Sequence, residues 1–249
     1  MTTLASPTDR GTSANSLQVY ARVAGLLFLL SILGGGFGEM YVPSKLIVSN
    51  NAAVTATNLR NADSLFRLGF AVYLVEALSD VALSWAFYVL LRPVHKNLAL
   101  LAAFFGLVST ALFGFAELFY FASSLVLRDA AYLRAFSQDQ RNTLALLSLK
   151  TYAVGGGVFM VFYGVPSIIR GYLIFRSGYL PKFLGVLLGL AGAGFVIRNF
   201  LLVLAPRFDS QLLLVPMFLA VVSLTVWFLA KGVNVARWAQ EQSPKGIAG

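Results

Sequence analysis

Residues 65–91 read LFRLGFAVYLVEALSDVALSWAFYVLL. At about 1.5 Å per residue, these 27 residues are long enough and apolar enough to cross a bilayer as a helix. Near the middle stand two acids, Glu76 and Asp80, four positions apart and so on one helix face. A charge at that depth costs about 2.5–3.5 kcal/mol per residue on insertion scales. A position facing lipid offers nothing to offset that cost, so the pair must look into protein or water. Tyr73, Glu76, Asp80 and Ser84 together make one polar face on an otherwise greasy segment.

The composition of the whole chain agrees with that reading. Of 249 residues 58% are hydrophobic and 12% charged, and the mean hydropathy is +0.78. Soluble domains carry about 25% charged residues, so the expected fold is all-α: a polytopic transmembrane bundle of about six spans. Hydropathy places the spans near 18–37, 65–91, 97–127, 143–175, 183–204 and 211–230. They form one transmembrane domain over 18–231, with a disordered polar tail at 1–17 and another polar tail at 232–249. Net charge is +9, with the basic residues at span ends rather than in a run, which points to membrane topology and away from nucleic acid. With the N-terminus inside, ten Lys and Arg fall on the inner side, Arg170 among them, and seven on the outer side. Both termini are therefore expected in the cytoplasm and the protein in the cell (inner) membrane, as a multi-pass protein.

Local signals punctuate the spans. Gly34, Gly35, Gly36 and Gly38 close the first, and Pro43 is read as breaking the chain after it. Ser137 and Gln140 read as a capping box for the fourth span, where the 155–157 glycine run and Pro166 are expected to loosen or kink the helix. Gly185, Gly189 and Ala193, at four-residue spacing, form a helix-packing stripe on the fifth.

One stretch carries a resemblance. Gly171-Tyr172-Leu173-Ile174-Phe175-Arg176-Ser177-Gly178-Tyr179-Leu180-Pro181, followed by Leu184-Gly185-Val186-Leu187, resembles the signature of bacterial multi-pass membrane proteins of domain-of-unknown-function family 4386. Glu39 with Tyr41-Val42-Pro43, Phe66-Arg67, Asp80 and Leu91-Arg92-Pro93-Val94 add to the likeness, which reaches from about Arg22 to Ala230. The resemblance implies a prokaryotic multi-helix membrane protein and no particular activity.

Other ionisable groups lie inside the spans. Glu117 falls within the third, Lys150 within the fourth and Arg198 within the fifth, while Glu39 sits at the outer mouth of the first. By depth these groups and Glu76 cluster in the outer half. The expectation is an outward-facing polar pocket lined by Glu39, Glu76, Asp80, Glu117, Lys150 and Arg198. Four acids against two bases leave at least one carboxyl able to carry a proton. Small-solute binding or proton-coupled transport is the expected use. The alternatives are a membrane scaffold or accessory subunit, and an intramembrane enzyme acting on a lipid-like substrate. The expected partners are the lipid bilayer and either a further copy of the chain or another membrane protein. No catalytic or metal motif stands out: Cys is absent and His95 is the single histidine. No cofactor is expected.

Overall fold

The computed structural model describes residues 14–242. The expected N-terminal tail lies almost wholly outside them. Nine α-helices follow in order: α1 Ala14–Gly35, α2 Val42–Leu46, α3 Ala52–Asn61, α4 Asp63–Leu91, α5 Lys96–Val126, α6 Gln138–Arg176, α7 Lys182–Leu204, α8 Val215–Ala230 and α9 Val235–Gln242. A π-helical turn, Gly36–Tyr41, joins α1 to α2 without a break, and the described residues hold no strand. Six continuous stretches are long and apolar enough to cross a membrane: Ser16–Leu46, Asp63–Leu91, Lys96–Val126, Gln138–Arg176, Lys182–Leu204 and Gln211–Ala230. An even number of crossings puts both ends of the described chain on one face, called here the terminal face; the opposite face is distal.

Each spanning helix packs on the helices before and after it, and α8 returns to α1, which closes the six into a ring. Outward faces are apolar and meet lipid; on α4 they are Leu68, Leu74, Val75, Leu78, Val81 and Trp85, all exposed at helical spacing. Inward faces form two separate apolar cores. One, at the terminal end, joins Leu17, Phe28, Leu83, Phe87 and Leu90 to Leu173, Leu184, Leu224 and Phe228. The other, at the distal end, joins Val42, Leu59, Phe66, Tyr73 and Phe113 to Tyr120, Leu149 and Phe159. Between them on α4, after Tyr73 of the distal core and before Leu83 of the terminal one, come Glu76 and Asp80, and the candidate site is built around these two.

Three helices differ from expectation. The first span does not stop at residue 37. It winds through the π turn to Leu46 with Pro43 inside it, and the Gly38 carbonyl, five residues before the proline, accepts from the Tyr73 hydroxyl instead. The glycines Gly34 and Gly38 are interior to this helix and leave its backbone bare for α4: a Cβ at Gly38 would stand 3.0 Å from the Tyr73 ring. Helix α6 runs unbroken through 155–157 and Pro166. Its glycines admit neighbours, since a Cβ at Gly155 would meet Ala116 at 2.8 Å and one at Gly157 would meet Asn199 at 3.1 Å. At 39 residues, α6 reaches about 58 Å, beyond the bilayer core. Its distal end begins with the Ser137–Gln140 capping box and is gripped by α3 through Arg60 and Asn142, 3.1 Å apart.

The third difference is α9, in what reads as a loose tail. Gly232 turns the chain with φ of 69°, a conformation L side chains avoid, and Gln18 ties that turn to α1 through Val233. Trp238 then lies buried and donates its indole N–H to the Leu90 carbonyl at 3.0 Å. The Tyr179 hydroxyl donates to the same carbonyl at 2.6 Å. Leu90 is in the last turn of α4, where carbonyls have no helical partner. The Arg176–Pro181 motif and α9 therefore clip the end of α4 together. Burial, with Glu241 adding to it, pushes the Tyr179 pKa above the usual tyrosine range, so the hydroxyl stays a donor. Tyr179→Phe and Trp238→Phe are each expected to cost about 1 kcal/mol of stability, measurable as lowered thermal unfolding in detergent. The double variant should cost more than either alone, because the carbonyl is then left buried and unpaired.

Candidate functional site

Helix α4 supplies the axis of the polar layer. Tyr73, Glu76, Asp80 and Ser84 recur at three- and four-residue steps, so one face carries a hydroxyl, two carboxyls and a second hydroxyl from the distal core towards the terminal one. Glu76 is half-buried. Its Oε1 accepts a hydrogen bond from Ser31 of α1 at 2.9 Å, and its Oε2 is buried with no partner among the described residues. It reaches α1 because Gly34 is there, where a Cβ would lie 3.6 Å from Oε2.

Glu117 of α5 is 2% exposed; among the described residues no basic side chain pairs with it, and the Tyr152 hydroxyl stands within hydrogen-bonding reach of its carboxyl. Tyrosines surround it. Tyr152 of α6 donates to the Tyr73 hydroxyl at 3.2 Å, and Tyr73 donates to the Gly38 carbonyl of the π turn at 2.6 Å. The Tyr120 ring stacks on Phe66 at 4.5 Å and meets Tyr152 edge-on at 5.4 Å, with its hydroxyl buried and unpartnered. Ser124, two turns further along α5, spends its hydroxyl on the Phe121 carbonyl. Glu39, Glu76 and Glu117 lie close enough to repel one another, and Glu39 also acts on Asp80. Four carboxyls from three helical segments thus share one electrostatic neighbourhood.

Glu39 is exposed, carried by the π turn, a rare geometry often found at functional positions. With Lys150, Tyr152 and Ser44 it lines a cavity of about 340 Å³ at the distal end of the ring. Lys150 is exposed at this mouth. Arg198 is elsewhere: it pairs with Asp209 of the distal α7–α8 connection at 3.0 Å, eleven residues along the chain, and does not face the acids.

The buried cation that does face them is Arg170, placed with the inner-side charges by sequence. It is 5% exposed, donates to Ser84 at 3.1 Å, lies 4.9 Å over the Phe87 ring and acts on Asp80. The terminal half of the membrane is therefore not empty of charge. The signal was the series Tyr163, Ser167, Arg170 and Gly171, a polar and small face running into the last turn of α6. Among the described residues no three His, Cys, Asp or Glu side chains stand together as a metal-binding set. The acids are neighbours in a field, spaced too widely to clasp one ion between them.

The packing stripe on α7 has its partners inside the same chain. A Cβ at Gly171 would come within 2.6 Å of both the Gly185 carbonyl oxygen and the Gly189 nitrogen, and one at Gly164 within 2.6 Å of the Gly192 carbonyl oxygen. Helices α6 and α7 touch backbone to backbone along Gly164, Gly171, Gly185, Gly189 and Gly192. Ala193 is only half-buried. The contact face is consumed within the bundle, and it fixes α6, and so Arg170 and Tyr152, in register against the ring.

Residues 23–232 match the family described as "Domain of unknown function (DUF4386)". The chain belongs to this family. An uncharacterised protein of Archaeoglobus fulgidus is similar to it, 30% identical over 155 residues, which is 61% of this chain and 76% of the relative. No solved structure matches the chain.

Proposed function

We propose that this DUF4386 protein binds a proton at the Glu39–Glu76–Asp80–Glu117 cluster, taken in through the distal mouth, and moves it across the membrane. One observation carries the reading: Glu117 is buried in the membrane interior with no cation paired to it among the described residues, beside two further glutamates. An acid so placed contributes nothing to packing that an apolar side chain would not contribute better. Neighbouring carboxyls without a paired cation are neutralised by a proton or by a cation from solution. The tyrosine rings pack tightly about Glu117, which favours a ligand of atomic size over an organic solute. The cavity at Glu39 and Lys150 supplies the approach from the distal face.

We place the terminal face in the cytoplasm and the protein in the cell membrane. The support is that Arg92, Lys96, Arg176 and Lys182 of the terminal side fall at short turns, where the bias of basic residues to the cytoplasm applies best.

The test is proton entry into proteoliposomes that hold a pH-sensitive dye, driven by an imposed membrane potential. Wild-type vesicles are expected to acidify faster than protein-free ones, and Glu117→Gln to remove the excess. An excess unchanged in Glu117→Gln contradicts the reading.

A further inference from the structure

The polar track along α4 runs from Tyr73, whose partner Tyr152 lines the distal cavity, to Ser84, where one charged group ends it. Asp80 lies eleven residues, about 16 Å, from the terminal end of α4 at Leu91. Arg170 lies six residues, about 9 Å, from the terminal end of α6 at Arg176. Arg170 therefore stands between the acids and the terminal face, bonded to Ser84, the last polar residue of the track. Beyond it begins the terminal apolar core, with Leu83, Phe87 and Leu173.

The side chain is built into place. Its guanidinium rests on the Phe87 ring, and α5 closes over it at Gly106, where a Cβ would come within 2.8 Å of Nη2 and collide with Ser84 Oγ. Its Nε is buried with no partner among the described residues, so one donor remains uncommitted. The groups facing it are Asp80 and Ser84 of α4, Phe87 of α4 and Tyr163 of α6.

Resting on the reading of the acids as a proton site, we propose that Arg170 is the residue that seals that site on the terminal side. A guanidinium stays charged at any working pH, and a fixed positive charge in a narrow apolar path repels protons and metal cations alike. At about 6 Å and an effective dielectric of about 20, the repulsion lowers passage of a unit charge roughly 100-fold. Asp80 one turn away is the counter-charge to which the guanidinium swings when the path opens. The acids then decide what binds, and Arg170 decides when it passes.

The same proteoliposome assay separates the two claims. Arg170→Gln, shown folded by a monodisperse elution and a cooperative melt, is expected to admit protons at least about 10-fold faster than wild type. Arg170→Lys, which keeps the charge, should stay within about 2-fold of wild type, and Arg170→Gln with Glu117→Gln should lose the gain. A folded Arg170→Gln with wild-type flux overturns the proposal. Should Arg170→Gln not fold, Ser84→Ala carries the test: it keeps the cation and removes its anchor, and a flux no higher than wild type overturns the proposal equally. The reading of the acids fails on a different result, a wild-type excess that survives Glu117→Gln.

Discussion

Gly171→Leu abolishes the folded protein. The substituted Cβ alone would sit 2.6 Å from a backbone oxygen and a backbone nitrogen of α7, and neither can turn away as a side chain would. Helices α6 and α7 must separate along their whole glycine seam, which loosens Tyr152 and Arg170 together. Overpacking in ordinary cores costs about 1–3 kcal/mol; a backbone-to-backbone seam in a membrane, with no side chain to repack, should cost more than about 3 kcal/mol. The expected result is little monodisperse protein after extraction. Gly189→Ala is the control: although it lies in the same seam, its own Cβ would point into open space, and its stability should stay within about 0.5 kcal/mol of wild type. Equal loss in both variants would show that the seam is not what joins the two helices.

Glu117→Leu is expected to do two opposite things. It replaces a buried acid that has no ion-pair partner among the described residues by an apolar side chain of similar volume, so unfolding should become harder by about 1–4 kcal/mol. Proton entry into vesicles should fall to the protein-free level. A residue kept for structure behaves otherwise, because its removal strands a charged partner, and no basic side chain pairs with Glu117 among the described residues. Calorimetry or a thermal melt in detergent, set beside the flux assay, reads both effects. A lower melting temperature in Glu117→Leu would assign the acid to packing and leave the site without its central member.

Much of this architecture is legible before any coordinates. Six apolar runs separated by polar turns define the spans, and the Glu76–Asp80 spacing alone turns the polar face of α4 inward. What sequence hides are places where two physical rules compete. A proline and a run of glycines read as a stop after residue 37, yet Pro43 begins a new helical turn and a π turn takes up the change of phase. Arg170 stands six residues before a basic turn, the place where topology charges gather, so its charge alone does not mark it as buried. The hydroxyl and glycine face around it does. Arg198 has the same apparent depth, and its partner Asp209 was in plain view on the following connection. Helix α9 is short and polar in composition, and only Trp238 shows that it has a face to bury. His95, alone in its turn, serves as the cap of α5, accepting from the Leu98 N–H at 3.2 Å.

The central claim is that a carboxyl deep in the membrane is held unpaired for a ligand arriving from the distal mouth. Dicyclohexylcarbodiimide, an apolar reagent that couples to carboxylic acids within membranes, puts that claim to a direct measurement. With the full-length protein in lipid vesicles and the labelled site read by peptide mass spectrometry, Glu117 should carry the adduct, and raising the external pH should suppress it. A native protein whose Glu117 stays unmodified at every pH, while the unfolded chain reacts there, would contradict the account.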